Sequence, residues 1–326
     1  RPTSRRSRGD MKVLAHIREQ YGLSLGSYGR PRMTMELKEA GLAVGERRVG
    51  RLMRINGIRP VRTRKHKVTT NSNHRLGIAA NWLDGDFVAA APNQKWAGDI
   101  TYIWTAEGWL YLAVVLDLHS RRVVGWAVSN RMKKDLAIRA LDMAVNLRQP
   151  AEGCIFHSDR GSQYCAYDYQ KKLQAYGLRP SMSGKGNCYD NASVETFFKS
   201  LKAELIWRQK WATRRQAEAA IFQYINGFYN TRRRHSYLGG ISPLAFEAKV
   251  ADELRRQRAE DKAVLAALLE DADVFIHNVR MAGMERLGFG YEQVKAINPD
   301  IVYVHCAGFG AGGGCCGAGG AGLGLG

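Results

Sequence analysis

Three acidic residues stand where acidity is out of keeping with their surroundings. They are Asp99 in WAGDITYI, Asp159 in FHSDRGSQY and Glu195 in GNCYDNASVETFFKS. Each has an ordinary explanation: a strand Asp pairs with a cation, a strand-end Asp caps the next helix, and a helical Glu faces solvent. The setting argues for more. Residues 81–247 hold 22 Lys+Arg against 15 Asp+Glu, a net of +7. Carboxylates aimed at one spot need cations to neutralise them, and Mg²⁺ is commonly held by a few carboxylates plus phosphate oxygens. Two such ions ~4 Å apart can serve both the attacking and the leaving oxygen of an in-line phosphoryl transfer. Basic surface around an acidic centre is the combination that chemistry on a nucleic-acid backbone requires.

The elements around these residues read as mixed α/β. KWAGDITYIWT (95–105) and WLYLAVVLDLHSRRVVGWAVS (109–129) are rich in β-branched and aromatic residues and are split by Glu107-Gly108. A second reversal near His119 to Arg122 predicts three strands in meander. A helix follows from about Lys133 to Leu147, then a short strand, CIFHSD, ending at Asp159. A helix at about 167–176, a strand from Leu178 to Met182 and a longer helix from about Asn191 complete the layout. Asp117 also ends an apolar strand and is the chief decoy; a structural role is expected for it. His157 is expected to pack, and with Ser158 and Gly161 to shape the loop at Asp159.

Charge concentrates upstream. Residues 1–80 carry 19 Lys+Arg and 5 Asp+Glu, a net of +14 within a chain total of +19. Concentrated positive charge points to a polyanionic partner. Residues 27–65 read as two short helices, the first with Thr34 as N-cap and Gly41 as its end, the second from about Gly45 to Gly57. On a helical wheel Arg47, Arg51 and Arg54 form one stripe, while Val49, Leu52 and Met53 project to the other side. One face can pack and the other can meet phosphates. With Arg59, Arg62, Arg64, Lys65 and Lys67 following, this predicts a helix-turn-helix-like DNA-binding unit.

The three acids, with 35 residues between Asp159 and Glu195, resemble the D, D-35-E signature of OrfB-type insertion-sequence transposases of the IS-three family, within the retroviral-integrase superfamily. The likeness covers roughly Tyr28 to Glu247, and YNTRRRHSYLGGISPLAFE (229–247) is similar to that family's C-terminal signature. The resemblance implies a ribonuclease H-like catalytic core, a mixed five-stranded sheet with flanking helices, behind a small helical helix-turn-helix-like domain. It implies Asp99, Asp159 and Glu195 as catalytic ligands of two Mg²⁺ or Mn²⁺ ions, hydrolysis at the element's end, and attack of the freed 3′-OH on another phosphodiester. Lys202, two helical turns past Glu195 and so on the same face, would contact the DNA end. Asn191 would orient Glu195 or touch DNA, unless it or Asp190 caps the helix; Arg232, Arg233, Arg234 and His235 would clamp phosphate or solvate a helix end, and the basic domain favours phosphate. Implied partners are element and target DNA, a second copy of the chain or a higher assembly on DNA, and an upstream helix-turn-helix protein of the same element. Location in the cytoplasm, at the nucleoid, follows. The alternative is a catalytically incompetent DNA-binding descendant or a gene-fusion remnant.

The resulting organisation is a basic N-terminal helix or tail (1–26), the helix-turn-helix-like segment (27–70), a linker (71–88), the catalytic core (89–205), a C-terminal helical part (206–247), a fragment (248–310) and a tail (311–326). The fragment is mildly acidic and reads as helix, strand, helix, strand. DADVFIHNVRMAGMERLGFGYEQVKAINPDIVYVHCAGFG (271–310) resembles an internal piece of the family III CoA-transferases. A parallel βαβ piece cut from its sheet cannot cover both faces, and the Asp nucleophile of that family has no counterpart before the Gly/Ala text, so CoA transfer is not expected. Glycine makes up 11 of the last 20 residues, which predicts disorder. A mobile-element frame run into an interrupted host gene accounts for the join. The initial Arg points to a fragment, a processed start or a frame-shifted reading.

The longest uncharged aliphatic run, Leu110 to Leu116, is far too short to cross a bilayer, so a cytosolic protein is expected. Six cysteines show no C-x-x-C pair and are expected as free buried thiols.

Overall fold

The computed structural model describes residues 4–61, 77–184 and 191–306. The chain divides into two compact units, Arg1–Ala248 and Lys249–Gly326.

The first unit opens with three helices, α1 (Arg5–Leu23), α2 (Arg30–Glu39) and α3 (Glu46–Ile55). Val13 and Ile17 of α1, Met33 and Leu37 of α2, and Val49, Leu52 and Met53 of α3 are buried together. The segment expected as a basic helix or tail is a helix, and it packs as a structural third of the helical unit. Thr34 is not an N-cap. It lies inside α2, its Oγ1 donating to the Arg30 carbonyl at 2.8 Å, because Pro31 suits the first turn and moves the start upstream to Gly29.

The catalytic-core segment forms β1 (Lys95–Thr105), β2 (Gly108–Asp117), β3 (Val123–Ser129), α4 (Lys134–Arg148), β4 (Ile155–Ser158), α5 (Ser162–Cys165), α6 (Tyr167–Ala175), β5 (Arg179–Met182) and α7 (Ala192–Glu204). The strands make one five-stranded sheet in the order β3-β2-β1-β4-β5. The meander β1-β2-β3 is antiparallel, and β4 and β5 add in parallel on the other side of β1. This is the mixed sheet the sequence leads one to expect. Short apolar β4 and β5 can sit in parallel because α4 and then α5 and α6 supply the crossovers.

Two apolar clusters cover the sheet. Trp96, Ala113, Phe156, Tyr164 and Tyr169 pack with the alanine-rich face of α4, Ala137, Ala140 and Ala144. On the opposite face Leu112, Val114 and Leu116 join Phe197 and Leu201 of α7, and the same cluster runs on without a break into the buried residues of α1, α2 and α3. The helical unit and the sheet thus share one core. The described part of the expected linker is anchored too: Ser181 of β5 accepts hydrogen bonds from the Trp82 and Leu83 amides at 2.9 and 3.3 Å.

After α7 come α8 (Arg214–Phe222), a π-helical stretch (Gln223–Tyr229) and the start of α9 (Pro243–Glu270). The second unit contains the rest of α9, β6 (Val274–His277), α10 (Met281–Leu287), α11 (Tyr291–Ile297) and β7 (Val302–His305). β6 and β7 pair in parallel over a small core of Leu269, Met284, Phe289, Val294 and Ile301. Val274, Ile276 and Val302 of this two-stranded sheet remain exposed, the uncovered face expected of a cut-out piece. Cys154 and Cys165 are free and buried, but Cys306 is exposed, against expectation, because it follows β7 at the rim of this small sheet.

Candidate active site

β1 carries Asp99 just past the point where β4 stops pairing with it, since that pairing runs from Lys95 to Gly98 only. Gly98 makes the join possible: a Cβ there would lie 2.6 Å from the Phe156 ring on β4. Asp159 follows β4 directly, so the two aspartates emerge from neighbouring parallel strands at the same end. Gly161 folds the loop back, its amide donating to Asp159 Oδ1 at 3.0 Å; a side chain there would meet that oxygen at 2.9 Å.

α7 brings the third acid. Its first residues are tied to β1 where Asn191 Nδ2 donates to the Gly98 carbonyl at 3.4 Å. Asn191 makes no side-chain cap to the helix, so of the roles open to it the structure favours fixing α7 beside Asp99. Glu195 lies in the first turn and pairs with Lys199 at 3.6 Å. Lys202, two turns on, is buried with its ammonium 5.2 Å from the centre of the Tyr102 ring.

The electrostatics tie these groups together. Asp99's carboxyl is pushed well above the usual range, first by burial and then by the charge of Asp159 and, more weakly, of Glu195; the Ile100 amide and Lys202 oppose the rise. Burial lowers the Lys202 ammonium, and Asp99 partly offsets it. Asp159, Glu195 and Lys202 thus all act on Asp99, from the end of β4 and from α7. Among the described residues, no three His, Cys, Asp or Glu side chains stand close enough to enclose one ion as they are. Glu195 is paired with Lys199, and an exposed pair of that kind holds it by only ~0.5 kcal/mol or less.

The decoys behave as expected. Asp117 is fully buried, accepts from the Asn93 and His119 amides at 2.8 Å each, and lies 3.6 Å from Arg148. His157 is buried between the Ser181 and Ser183 hydroxyls at 2.9 and 3.1 Å.

The expected phosphate clamp is corrected for Arg233, Arg234 and His235; Arg232 is half-buried and donates to Gln20 Oε1 at 2.9 Å. Arg233 is buried and grips Glu204, with contacts at 2.6 to 3.1 Å, and Tyr224 donates to the same carboxylate at 2.6 Å. Burial opposes the Arg233 charge, but Glu204 outweighs it and holds the guanidinium above its ordinary range. Arg234 is buried against Glu36 and Glu39 of α2. His235 is pushed down to about 3, chiefly by burial and then by Arg233, so near neutral pH it has no charge to offer a phosphate. These residues join elements to one another.

The basic face of α3 divides likewise. Arg47 and Arg54 are exposed, whereas Arg51 shares Asp10 of α1 with Arg48, the latter at 2.8 Å. Arg47, Arg48 and Arg51 line an open cleft of about 840 Å³ with Arg5 and Arg6. Arg5, Arg6 and Arg48 were not singled out from sequence; the signal was the RRSR run on a helix whose other face holds Val13 and Ile17. Of the basic extension, Arg59 is exposed, and Arg62, Arg64, Lys65 and Lys67 lie outside the described residues.

A mixed sheet with this strand order, acids at its centre and a basic helical unit on the same core defines a DDE-type polynucleotidyl transferase. Family models described as integrase core domain match residues 89–188 and 195–250, an HTH-like domain matches 9–66, and CoA-transferase family III matches 253–323. The transposase InsF for insertion sequence IS3A of Escherichia coli K12 is 50% identical over 222 residues, 68% of this chain and 77% of that protein. A 31 kDa protein of insertion element IS600 from Shigella sonnei is 45% identical over 246 residues, 76% of this chain and 90% of that protein. A simian T-cell lymphotropic virus intasome chain, solved by cryoEM with a PP2A regulatory subunit, aligns at 15% identity over 68% of this chain and 70% of its own, with a TM-score of 0.42, too loose to bear on the chemistry. The chain belongs to the IS3 family of insertion-sequence transposases. Its CoA-transferase likeness is a partial match confined to the C-terminal region. Among the described residues no helix is long and apolar enough to cross a membrane.

Proposed function

We propose that Asp99, Asp159 and Glu195 form the metal-binding centre of this transposase and that it takes two Mg²⁺ or Mn²⁺ ions. The observation carrying this reading is that Asp99 and Asp159 emerge from the same end of neighbouring parallel strands, with the Asp99 carboxyl raised first by burial and then by the charge of Asp159 and Glu195. Carboxylates gathered at the cost of mutual repulsion are relieved by a divalent cation, and an all-oxygen donor set suits Mg²⁺ and Mn²⁺. Divalent ions held there would activate the attacking oxygen and stabilise the leaving oxygen of phosphoryl transfer. Asp99 and Asp159 are held by strand ends and their own backbone contacts, while Glu195 completes the set by turning from Lys199. Lys202 would meet the negative charge of a DNA end beside Asp99. Arg47 and Arg54, with the cleft shared by α1 and α3, offer exposed cations to the duplex. Bringing two element ends together calls for at least two copies of the chain on DNA.

The test is a strand-transfer assay on labelled element ends with Mg²⁺ or Mn²⁺, run beside calorimetric titration of Mn²⁺. Asp159→Asn is expected to lose at least ~100-fold in product, by the scale of removing one electrostatic stabiliser of a transition state, and to weaken Mn²⁺ binding. Equal product from variant and parent would remove the proposed centre.

A further inference from the structure

The β1–β2 hairpin carries three aromatic rings left in water. Tyr102, Trp104 and Trp109 are 40%, 60% and 43% exposed. They form one patch: Trp109 pairs with Trp104 across the hairpin, and its ring lies 4.8 Å from that of Trp104 and 5.1 Å from that of Tyr102, edge-on to both. A contiguous exposed aromatic surface marks a binding site more often than chance.

Cations border it on two sides. The Lys202 ammonium sits over Tyr102 at 5.2 Å and is the same group that acts on Asp99. At the other end Arg214 donates from Nε to the Trp109 carbonyl at 3.0 Å and also reaches the Glu107 carbonyl, which places its charge beside the patch. The Glu107 carboxylate is already engaged, accepting from the Arg214 amide at 2.8 Å. Rings flanked by cations are the chemistry of single-stranded nucleic acid: ring faces stack on bases and cations meet the backbone. A duplex does not present base faces, so the patch selects bases that have left the stack.

We infer that Tyr102, Trp104 and Trp109 form a stacking platform for unpaired bases of the DNA that this transposase handles. Along β1, Tyr102 and Trp104 lie three and five residues beyond Asp99, odd offsets that set them on the opposite face of the strand from it; Lys202, which acts on Asp99 and lies over the Tyr102 ring, links the two. The inference rests on the proposed centre only for this placement; the stacking itself needs no metal.

The experiment therefore measures binding of the full chain in EDTA to a labelled twelve-base oligo-dT and to a paired element end of equal length. Trp104→Ala is expected to weaken single-strand binding about tenfold and duplex binding less than twofold, with Trp104→Phe restoring the single-strand affinity. Quenching of tryptophan fluorescence by the single strand should fall in the alanine variant. Asp159→Asn should bind the single strand like the parent, so loss of strand transfer and loss of stacking are separately readable. The inference fails if Trp104→Ala binds single strands like the parent, or if it loses both DNAs equally with an unchanged circular dichroism spectrum. It also fails if the variant turns a self-associated parent into monomers while keeping single-strand affinity, which would make the patch a contact between copies.

Discussion

Arg233 shows how a single residue type misleads until its partners are known. It sits in an arginine triplet of a basic chain, the usual dress of a phosphate clamp, yet both it and Glu204 are buried and bonded to each other. Removing one member of such a pair strands the other in a place where water cannot reach it. Arg233→Ala is accordingly expected to cost ~3–5 kcal/mol of stability, seen as a large fall in thermal midpoint. A phosphate-clamping role would instead leave the midpoint alone and weaken DNA binding. The contrast with the acidic centre is instructive. Asp99, Asp159 and Glu195 each have an ordinary explanation alone, and could be picked out in sequence because together, in a basic domain and with 35 residues between the last two, they match a family signature. Arg233 breaks none, and its partner lies 29 residues upstream.

At the scale of elements, the strands of the sheet and the meander of the first three were legible because alternation, β-branched residues and turn signals are local. The helix carrying Glu195 was legible as well. What could not be read was which helix packs where. The role of α1 in the helical unit, the burial of Arg234 against α2 and the anchoring of residues 82–83 on β5 all depend on partners distant in sequence. The same holds for the start of α9. Glu247 accepts from Arg148 at 2.9 and 3.0 Å, from Arg122 at 2.7 Å and from Ser120 at 2.7 Å, closing the C-terminal side of the unit onto the end of β2. Burial pushes its carboxyl up, but these donors outweigh burial and hold it below the ordinary carboxylate range. A carboxyl depressed by folding stabilises above its unfolded value and loses that contribution as pH falls through the folded one. Glu247→Gln should thus lower stability near neutral pH and leave a shallower acid limb, below about pH 4.3, in urea unfolding midpoints measured against pH.

At the scale of the molecule, two activities that a transposase must coordinate are built into one body of packed side chains. The cluster running from Ile17 and Leu52 through Leu112 to Leu201 has no seam at which the HTH-like helices could swing away from the sheet, and the bonds from Arg234 to Glu36 and Glu39 fasten the same junction. If the centre and the basic face act as proposed, this unit is in effect a caliper, with duplex DNA held at one jaw and the bond broken at the other. Adding one base pair between an element's recognised sequence and its terminus moves the terminus ~3.4 Å and turns it ~35°. Mapping product ends at nucleotide resolution should then show the cut following the protein's span, one nucleotide inside the displaced terminus, at reduced yield; a cut that tracked the terminus would mean the jaws are free to open.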